Sequence, residues 1–513
     1  MYIEEEFYFW KLTHDLIVNH GFDILHINEQ NSEVWLEKEV ERKNHVVRLY
    51  RGQFDWSNQL KKDIARIHQH IEQNKHMFLG RELLVHAVYV SEFGPVDNWD
   101  GLERPLKVKG KKEIHLNVHY LNQDTREERQ KKLYQQLKLE PEVIVWSSDV
   151  PEIEHQLPYL KDEILFQRNK KRKEQEGLFN YGKPLLTKLL LIANILIYFY
   201  LEMNGGSTSV VNLIEYGAKY NPAIVDGEWW RIISSMFLHI GLLHIMMNML
   251  ALYYLGTAVE RIYGTTRFFL IYFLAGMVGG ISSFAFNPHV AAGASGAIFG
   301  LFGALLYFGV MHKQVFFRTM GRNLIFIIVL NIILGLSVPQ IDNGAHLGGL
   351  AGGFIASAAV NLPKNIQPIR QAASLLLYLT VLIGLGFYGY QQSGDTPHTA
   401  AEVEISQQML QEEKYKETIS FTEEAMERGG EYESYLLFNQ AYAHFQLQDL
   451  KAARQDLEHV IEIDPDMAEA HYNLALVQFE LGNRNSALSH ANKAVNLMPD
   501  NEKFRDFYER LSE

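Results

Sequence analysis

Seven apolar segments between residues 185 and 390 set the pattern of this chain, and long polar stretches flank them on both sides. Each segment is close to the ~20 residues that an α-helix needs to cross the hydrocarbon core of a bilayer. The segments lie at 185–202, 236–257, 266–286, 292–311, 323–338, 345–362 and 370–390. The pattern predicts an α-helical polytopic membrane core over residues 179–392.

The polar stretch before this core, residues 1–178, contains segments in which apolar and polar positions alternate as they do in half-buried strands. Strands are predicted at 33–37, 46–50, 83–90 and 114–118. Helical spacing and good helix formers predict helices over 57–77 and 124–138. A soluble α+β domain is therefore expected, and no catalytic motif is found in it.

A repeat occupies the polar stretch after the core, residues 400–513. Five residues recur 34 positions later, where Asn439, Ala441, Leu447, Ala453 and Pro465 return as Asn473, Ala475, Leu481, Ala487 and Pro499. This period, with helix-turn-helix composition and a closing proline, indicates all-α tetratricopeptide repeats, and a degenerate earlier copy is expected over 400–430. Such arrays bind partner proteins or peptides on a concave face, and a solubilising or spacing module is the alternative.

Charge is distributed unevenly along the chain. The net charge is −13, and residues 400–513 hold 23 Asp and Glu against 10 Lys and Arg, which accounts for all of it. The sequence shows no basic face that would indicate nucleic-acid binding. Lys and Arg concentrate before the first span and in alternate loops, and the acidic start lacks the features of a signal peptide, so the first domain is expected in the cytoplasm. With seven crossings of the cell membrane, the repeats are then extracytoplasmic.

Among the polar side chains inside the predicted spans, a serine, two histidines and an asparagine lie near the starts of three spans, where such groups are costly and usually functional. They are Ser295, His346, His244 and Asn248. The second, fourth and sixth spans run in the same direction, so all four residues are expected at a similar shallow depth near the outer face. His244 and Asn248 are four residues apart and share one helix face. A serine, a histidine and two further hydrogen-bonding groups suit a serine hydrolase that works inside the bilayer.

Glycines follow the two central residues of this set. Gly296 and Gly300 continue the serine helix, and Gly349 and Gly353 continue the histidine helix. Small residues at this spacing let transmembrane helices approach closely. Close approach is needed if a short serine side chain is to reach an imidazole within hydrogen-bond distance.

These motifs resemble those of the rhomboid family of intramembrane serine proteases. The resemblance covers residues 185–390 and rests on Gly293-Ala294-Ser295-Gly296, on Ala345-His346 with glycines three and seven positions later, on His244-x-x-x-Asn248, and on Trp230-Arg231. It implies a six-helix rhomboid bundle to which a seventh span has been added.

The resemblance also implies roles for these residues. Ser295 would be the nucleophile and His346 its general base, in a dyad without a third acid. Apart from Glu202 at the end of the first, no Asp or Glu falls inside the predicted spans, which is consistent with a dyad. His244, Asn248 and the backbone N–H of Ser295 would stabilise the oxyanion. Phe299 occupies the position of an aromatic ring that packs on the histidine. The implied substrate is a transmembrane segment that unwinds near the outer face and is cut after small residues, and no cofactor or metal is implied.

Other interpretations remain for these features. Ser295 and His346 are also suited to helix packing, His239 is interpreted as structural or cavity-lining, and Trp230-Arg231 suits an interfacial anchor. For the whole chain, the alternatives are a catalytically inactive rhomboid-like adaptor that binds client proteins, a transporter, and a scaffold anchored by the spans. A transporter would place its polar groups at the bilayer midplane, whereas these lie at shallow depth.

Histidine is concentrated in the first domain, which holds 11 of the 21 histidines, including His68, His70 and His76. A divalent-metal site that regulates the protease is one interpretation, and solvated surface histidines are the other. A degenerate nuclease-like fold is a further alternative for this domain. The chain has no cysteine, which excludes disulfides and Cys-based zinc or redox sites.

Overall fold

The computed structural model describes residues 2–41, 43–74, 82–108, 113–140, 149–338, 341–395, 400–427 and 432–513. The chain forms two compact units, Met1–Leu178 and Phe179–Glu513. The predicted fold class is confirmed, because an α+β region is followed by a core of apolar helices and by helical repeats. The repeats belong to the same compact unit as the apolar helices.

A six-stranded mixed sheet forms the centre of the first unit. Its strands are β1 (Asp23–Asn28), β2 (Glu33–Val40), β3 (Lys43–Arg51), β4 (Glu82–Val90), β5 (Leu106–Val108) and β6 (Glu113–Leu121). The spatial order is β1-β2-β3-β4-β6-β5, with β3, β4 and β6 paired in parallel and the remaining pairs antiparallel. The four predicted strands are confirmed as parts of β2, β3, β4 and β6.

Helices cover both faces of this sheet. They are α1 (Tyr2–Val18), α2 (Ser57–Asn74), α3 (Arg126–Gln136) and α4 (Val150–Leu178), with a short 3-10 helix at Asp100–Glu103. Alternation along β4 explains the two layers, because Val88 and Val90 pack towards α1 and α3, whereas Val85 and Tyr89 pack against α2. The two predicted helices are confirmed as α2 and α3, and positions 75–77 of the first lie outside the described residues.

The histidines that the structure brings together are not those that the sequence singled out. A row of three buried side chains, each 3.3 Å from the next between ring nitrogens, crosses β3, β4 and β6 and consists of His45, His86 and His119. His68 and His70 lie on α2, and His76 lies outside the described residues. Within the described ranges, no group of three His, Cys, Asp or Glu side chains is suited to hold a metal ion, so the metal interpretation gains no support there.

The second unit has an apolar helix at each of the seven predicted positions. These are α5 (Leu186–Met203), α9 with α10 (Gly241–Ala251 and Thr257–Tyr263), α11 (Thr265–Phe286), α12 (Ser295–Met311), α14 (Gly321–Ser337), α15 (Asn343–Val360) and α16 (Pro368–Asp395). A π-helical turn, Leu252–Gly256, joins α9 to α10. Four short α-helices and the 3-10 helix Ser235–Phe237 lie between these segments in the described residues, the α-helices being α6 (Val210–Glu215), α7 (Asn221–Val225), α8 (Arg231–Ser234) and α13 (Lys313–Thr319).

The apolar helices differ in how well each could cross a membrane alone. Four are long and apolar enough by length and composition, namely α5, Gly241–Tyr263, α11 and Pro368–Gln392, and the α13–α14 pair, bent by 73°, would make a fifth. The shorter α12 has 17 residues. The glycine-rich α15 packs against α11, α12 and α16, so its main environment is protein. The count of seven crossings stays a prediction.

The second span is shifted relative to its predicted bounds. It runs over Gly241–Tyr263 and so contains Glu260, a second acid inside the spans besides Glu202 of Leu186–Met203, which corrects the expectation for the second span. The buried Glu260 carboxylate accepts the backbone N–H groups of Leu185, Leu186 and Thr187 at 3.1, 2.9 and 2.8 Å. The acid therefore caps the start of α5, and its charge is satisfied far along the helix from His244.

The C-terminal region is a series of helix pairs with a final single helix. Its helices are α17 (Ala400–Gln411), α18 (Tyr415–Met426), α19 (Glu433–Gln446), α20 (Leu450–Ile463), α21 (Ala468–Glu480), α22 (Arg484–Leu497) and α23 (Glu502–Ser512). The two sequence copies form α19–α20 and α21–α22, and α17–α18 is the pair expected over 400–430. The recurring alanines, such as Ala441, Ala453 and Ala487, are buried between helices, where a small side chain permits close packing.

Candidate active site

Ser295 is the first residue of α12 and follows a loop, residues 287–294, which we call the nucleophile loop. Gly293 has a φ of +148°, which favours glycine, and its N–H donates to the Ser235 carbonyl at 2.9 Å. The next N–H, of Ala294, donates to Nε2 of His239 at 3.4 Å. These two contacts fix the backbone immediately before the half-buried serine.

Helices α12 and α15 are in direct backbone contact beside the site. A Cβ added at Gly349 would lie 2.7 Å from the carbonyl carbon of Gly296, and one added at Gly353 would lie 2.5 Å from the carbonyl carbon of Gly300. Real Cβ atoms essentially never come this close to other heavy atoms, so only glycine permits this approach. The geometry is the close packing that the small-residue spacing indicates.

His346 lies in the first turn of α15, and its ring stacks on Phe299. The ring centroids are 4.0 Å apart and the planes are inclined by 12°. Phe299 is one turn after Ser295, so the stack places the imidazole on the serine side of α12. Asp342 caps the start of α15, because its carboxylate accepts the Ala345 N–H at 2.8 Å.

Asp342 is the acid nearest in sequence to His346, but its oxygens are engaged elsewhere. Besides the helix cap, they accept the hydroxyl of Ser283 and, at 2.8 Å, the amide of Asn287. In the described part of the chain, the His346 ring has no hydrogen bond to Ser295 or to Asp342. Catalytic hydrogen bonds are often long before substrate binds, so this geometry is compatible with a serine–histidine pair.

His244 and Asn248 lie on one face of α9. Nδ1 of His244 accepts the Ile240 N–H at 3.3 Å, which assigns the ring proton to Nε2. That Nε2 would lie 3.0 Å from a Cβ at Gly293, so its N–H is beside the nucleophile loop. Asn248 donates one amide hydrogen to the His244 carbonyl at 3.0 Å, and its second amide hydrogen remains for another acceptor.

Arg231 and Trp230 stabilise the long loop that precedes α8. The Arg231 guanidinium is buried and donates to the carbonyls of Ile214 and Ala218 at 2.6 and 3.3 Å. It also pairs with Glu228 at 2.5 Å and lies 4.8 Å from the Trp230 ring centroid. The buried Arg231 guanidinium stabilises the loop by binding its carbonyls. Because the side chain is buried in protein, the interfacial-anchor interpretation is disfavoured for Arg231.

Two supporting residues, His239 and Lys219, have partners that the sequence did not reveal. His239 accepts an N–H from a residue 55 positions away, and Lys219 donates to carbonyls 68 and 70 positions away. Contacts at such separations are visible only in the tertiary structure. Asp342 did have a sequence signal, because an Asp at the start of a helical pattern is a typical N-cap.

Comparison with known proteins gives matches in both the core and the repeats. The Rhomboid domain family matches residues 226–363, a TPR repeat family matches 441–482, and the Tetratricopeptide repeat family matches 468–501. The rhomboid protease GluP of Bacillus subtilis is 32% identical over 497 residues, which cover 93% of this chain and 92% of that protein.

Further matches are more restricted. The putative rhomboid protease YdcA of Bacillus subtilis is 33% identical over 177 residues, 34% of this chain and 87% of that protein. The rhomboid protease AarA of Providencia stuartii is 29% identical over 243 residues, 41% of this chain and 86% of that protein. A solved structure of the first TPR of Spaghetti (RPAP3) with an HSP90 peptide covers 22% of this chain and 87% of its own at 21% identity, with a TM-score of 0.21 that supports no argument.

The match to GluP extends over nearly the whole of both proteins, and the matched Rhomboid domain contains all four polar residues of the site. The apolar helices around that site are those of a multi-pass membrane protein. The chain therefore belongs to the rhomboid family of intramembrane serine proteases.

Proposed function

We propose that this protease cleaves transmembrane proteins with Ser295 as nucleophile and His346 as general base. The observation that carries the proposal is the stack of His346 on Phe299, one turn from Ser295, where α12 and α15 touch. The Ser295 oxygen attacks the scissile carbonyl carbon while its proton passes to the imidazole. The imidazolium then protonates the leaving amine, and water hydrolyses the acyl-enzyme with His346 again acting as base.

The environment of the histidine supports a dyad. A triad acid orients the imidazole through a hydrogen bond, and here the face of Phe299 contacts the ring instead. The nearby Asp342 carboxylate is satisfied by the α15 cap and by two side chains at the end of α11. Its function in this proposal is to fix the start of α15, and with it the position of His346.

Three donors are available for the oxyanion of the tetrahedral intermediate. They are the Nε2–H of His244, the second amide hydrogen of Asn248 and the backbone N–H of Ser295, which is at a helix start and has no intrahelical acceptor. Loss of one such donor typically lowers the rate by about 10²–10³. The Nε2 of His244 is the best placed, since it lies beside Gly293.

Cleavage is proposed to take place near the outer face of the cell membrane. Ser295, His346 and His244 all lie in the first turns of their helices, at one end of the bundle. Exposed apolar side chains such as Leu242 and Met246 surround His244 on α9 and suit a lipid environment. A site at this depth has access to water, and a substrate helix would need to unwind there to present its peptide bond.

The flanking domains are proposed to lie on opposite sides of the membrane. The first domain would be cytoplasmic and would regulate or dock the protease, and the repeats would be extracytoplasmic and bind a protein partner. Contacts of α17 with Ser209 and His289 support the placement of the repeats, because these residues lie in loops at the same end of the bundle as Ser295.

The test is cleavage of a single-span substrate by the full-length protein in liposomes. Wild type and Ser337→Ala, a matched serine on the apolar helix α14, should cleave, whereas Ser295→Ala and His346→Ala should not. The alternative is an inactive adaptor that binds client proteins. It would be favoured if folded wild type bound several such substrates and cleaved none, and cleavage by Ser295→Ala would contradict the assigned nucleophile.

A further inference from the structure

One buried lysine ties the nucleophile loop to the long loop of residues 204–230. Lys219 is 1% exposed, and its Nζ donates to Oδ1 of Asn221 at 3.1 Å and to the carbonyls of Asn287 and His289 at 2.6 and 2.7 Å. Its backbone N–H and carbonyl pair with those of Ala291 at 2.9 and 3.1 Å. Four of these hydrogen bonds are made to the nucleophile loop. Two of the four are to Ala291, which lies four residues before Ser295.

The arrangement around Lys219 suits an ammonium ion. Three oxygen acceptors surround Nζ, and only the protonated amine has three hydrogens to donate to them. Burying a cation is costly unless each of its hydrogens finds an acceptor, and here each does. The lysine therefore acts as a three-point brace, and a shorter or apolar side chain could not replace it.

The first helix of the repeats contacts the same two loops. Oε1 of Glu404, on α17, lies 2.6 Å from Nδ1 of His289 in the nucleophile loop. One turn later, Gln408 accepts the Val210 N–H and donates to the Ser209 hydroxyl, each at 2.6 Å. Helix α17 therefore bridges the nucleophile loop and the 204–230 loop, as Lys219 does from inside the core.

Both loops connect directly with groups of the active site. The nucleophile loop runs through Ala291 and Gly293 into Ser295. In the 204–230 loop, the Ser207 hydroxyl accepts the N–H of Gly241, the first residue of the helix that carries the oxyanion donors, at 3.1 Å. A displacement of these loops would move the nucleophile and the oxyanion donors relative to each other.

We propose that Lys219 is a positioning residue for Ser295, and that α17 acts on the same loop, so that the repeats contribute to the rate of cleavage. The inference rests on the proposed serine protease function. The contact between His289 and Glu404 is partly exposed, with side-chain exposures of 53% and 37%, so it contributes little to folding. Replacement of Glu404 therefore tests whether α17 positions the nucleophile loop, with little effect on the stability of the folded protein.

The first experiment replaces Lys219 by methionine, which keeps the apolar stem and removes all three donors. Because a displacement of about 1 Å in a catalytic group can cost about 10²-fold, we expect kcat to fall by that order while KM stays near the wild-type value. Lys416→Met, an exposed lysine on α18, is the matched control and should retain wild-type kcat. A folded Lys219→Met enzyme with wild-type kcat would overturn the proposal.

The second experiment addresses α17 and remains decisive if Lys219→Met does not fold. Glu404→Gln combined with Gln408→Ala should lower kcat several-fold, whereas Glu424→Gln on α18 should not. Because the chain has no cysteine, docking can be measured separately with cysteines at positions 289 and 404 and a short bifunctional thiol reagent. Efficient cross-linking is expected, and a pair at 289 and 424 is the control.

The outcomes separate this inference from the proposed function. Loss of cleavage in Ser295→Ala together with unchanged kcat in the α17 double variant would keep the protease and refute the positioning function of α17. Absence of the 289–404 cross-link in active enzyme would refute the docking itself. Cleavage by Ser295→Ala would refute the proposed function, whatever the result for α17.

Discussion

The contact between α12 and α15 can be tested with a single methyl group. In Gly349→Ala, the added Cβ would lie 2.7 Å from the carbonyl carbon of Gly296 and closer still to its oxygen, whereas ordinary contact begins at 3.4 Å. The neighbouring atoms are backbone and cannot rotate away, so the helices must separate by at least about 0.7 Å. This separation occurs beside Ser295 and His346, one of which is on each helix.

The expected effect is on chemistry more than on substrate binding. Since a misplacement of about 1 Å can lower the rate by about 10²-fold, kcat of Gly349→Ala should fall by about that factor while KM changes little. The assay is the rate of cleavage of a single-span substrate in liposomes, with substrate concentration expressed per lipid. Thermal unfolding in detergent, followed by circular dichroism, would establish that the variant is folded at the assay temperature.

Gly386→Ala is the matched control, because a Cβ at Gly386 on α16 would meet nothing within 4 Å. Alanine there should leave kcat unchanged and slightly favour the helix, since glycine costs about 1 kcal/mol relative to alanine in a helix interior. A folded Gly349→Ala enzyme with the wild-type kcat would refute the reasoning that backbone contact between the two helices sets the distance from nucleophile to base.

Other properties of the structure lead to further predictions. Glu260→Ala should lower the unfolding temperature in detergent, because three backbone N–H groups would lose their acceptor at about 1–3 kcal/mol each; an unchanged temperature would refute the capping function. Phe299→Leu should reduce kcat about two- to tenfold, since a ring stack contributes about 0.5–1.5 kcal/mol to the placement of His346, and wild-type kcat would contradict this. Burial lowers the pKa of Lys219 to about 8, with Asp342 and Glu404 acting in the opposite direction. The Lys219 ammonium therefore loses its proton as pH rises through 8, and Nζ then donates two hydrogen bonds instead of three. The kcat of wild type should decline above pH 8 for this reason. The Lys219→Met profile should be flat there, and identical profiles would exclude the effect.

The sequence predicted those features that repeat at helical spacing. The apolar segments, the glycines four residues apart and the His244–Asn248 pair each have a local period, and the structure contains the corresponding helices and contacts. The candidate site was expected because its members lie in the first turns of spans predicted to run in one direction, and the structure places Ser295, His346 and His244 in the first turns of α12, α15 and α9, while their catalytic roles stay a proposal. Topology alone was therefore enough to expect that they meet.

Features that depend on contacts distant in sequence could not be predicted. Lys219 is a lone cation in a loop, and Glu260 stands at the charged end of an apolar run, where a position outside the span was the natural interpretation. The buried row of histidines on β3, β4 and β6 required knowledge of strand pairing, because the parallel register pairs His45 with Leu84 and His86 with Val47, which brings the two rings together diagonally on one face. A prediction based on local clustering selected His68 and His70 on α2 instead.

The π-helical turn at Leu252–Gly256 has a consequence for the evolution of the second span. This helix carries His244, the proposed oxyanion donor, at one end and the cap Glu260 at the other, and each end faces a different neighbour. A π turn holds one more residue than an α turn in the same length of helix. Deletion of a single residue there would restore a regular α-helical turn and leave the two ends in nearly the same relative orientation, whereas the same deletion in a regular α-helix would rotate one end by about 100°. The π turn therefore allows this span to gain or lose one residue while His244 and Glu260 continue to face their own neighbours.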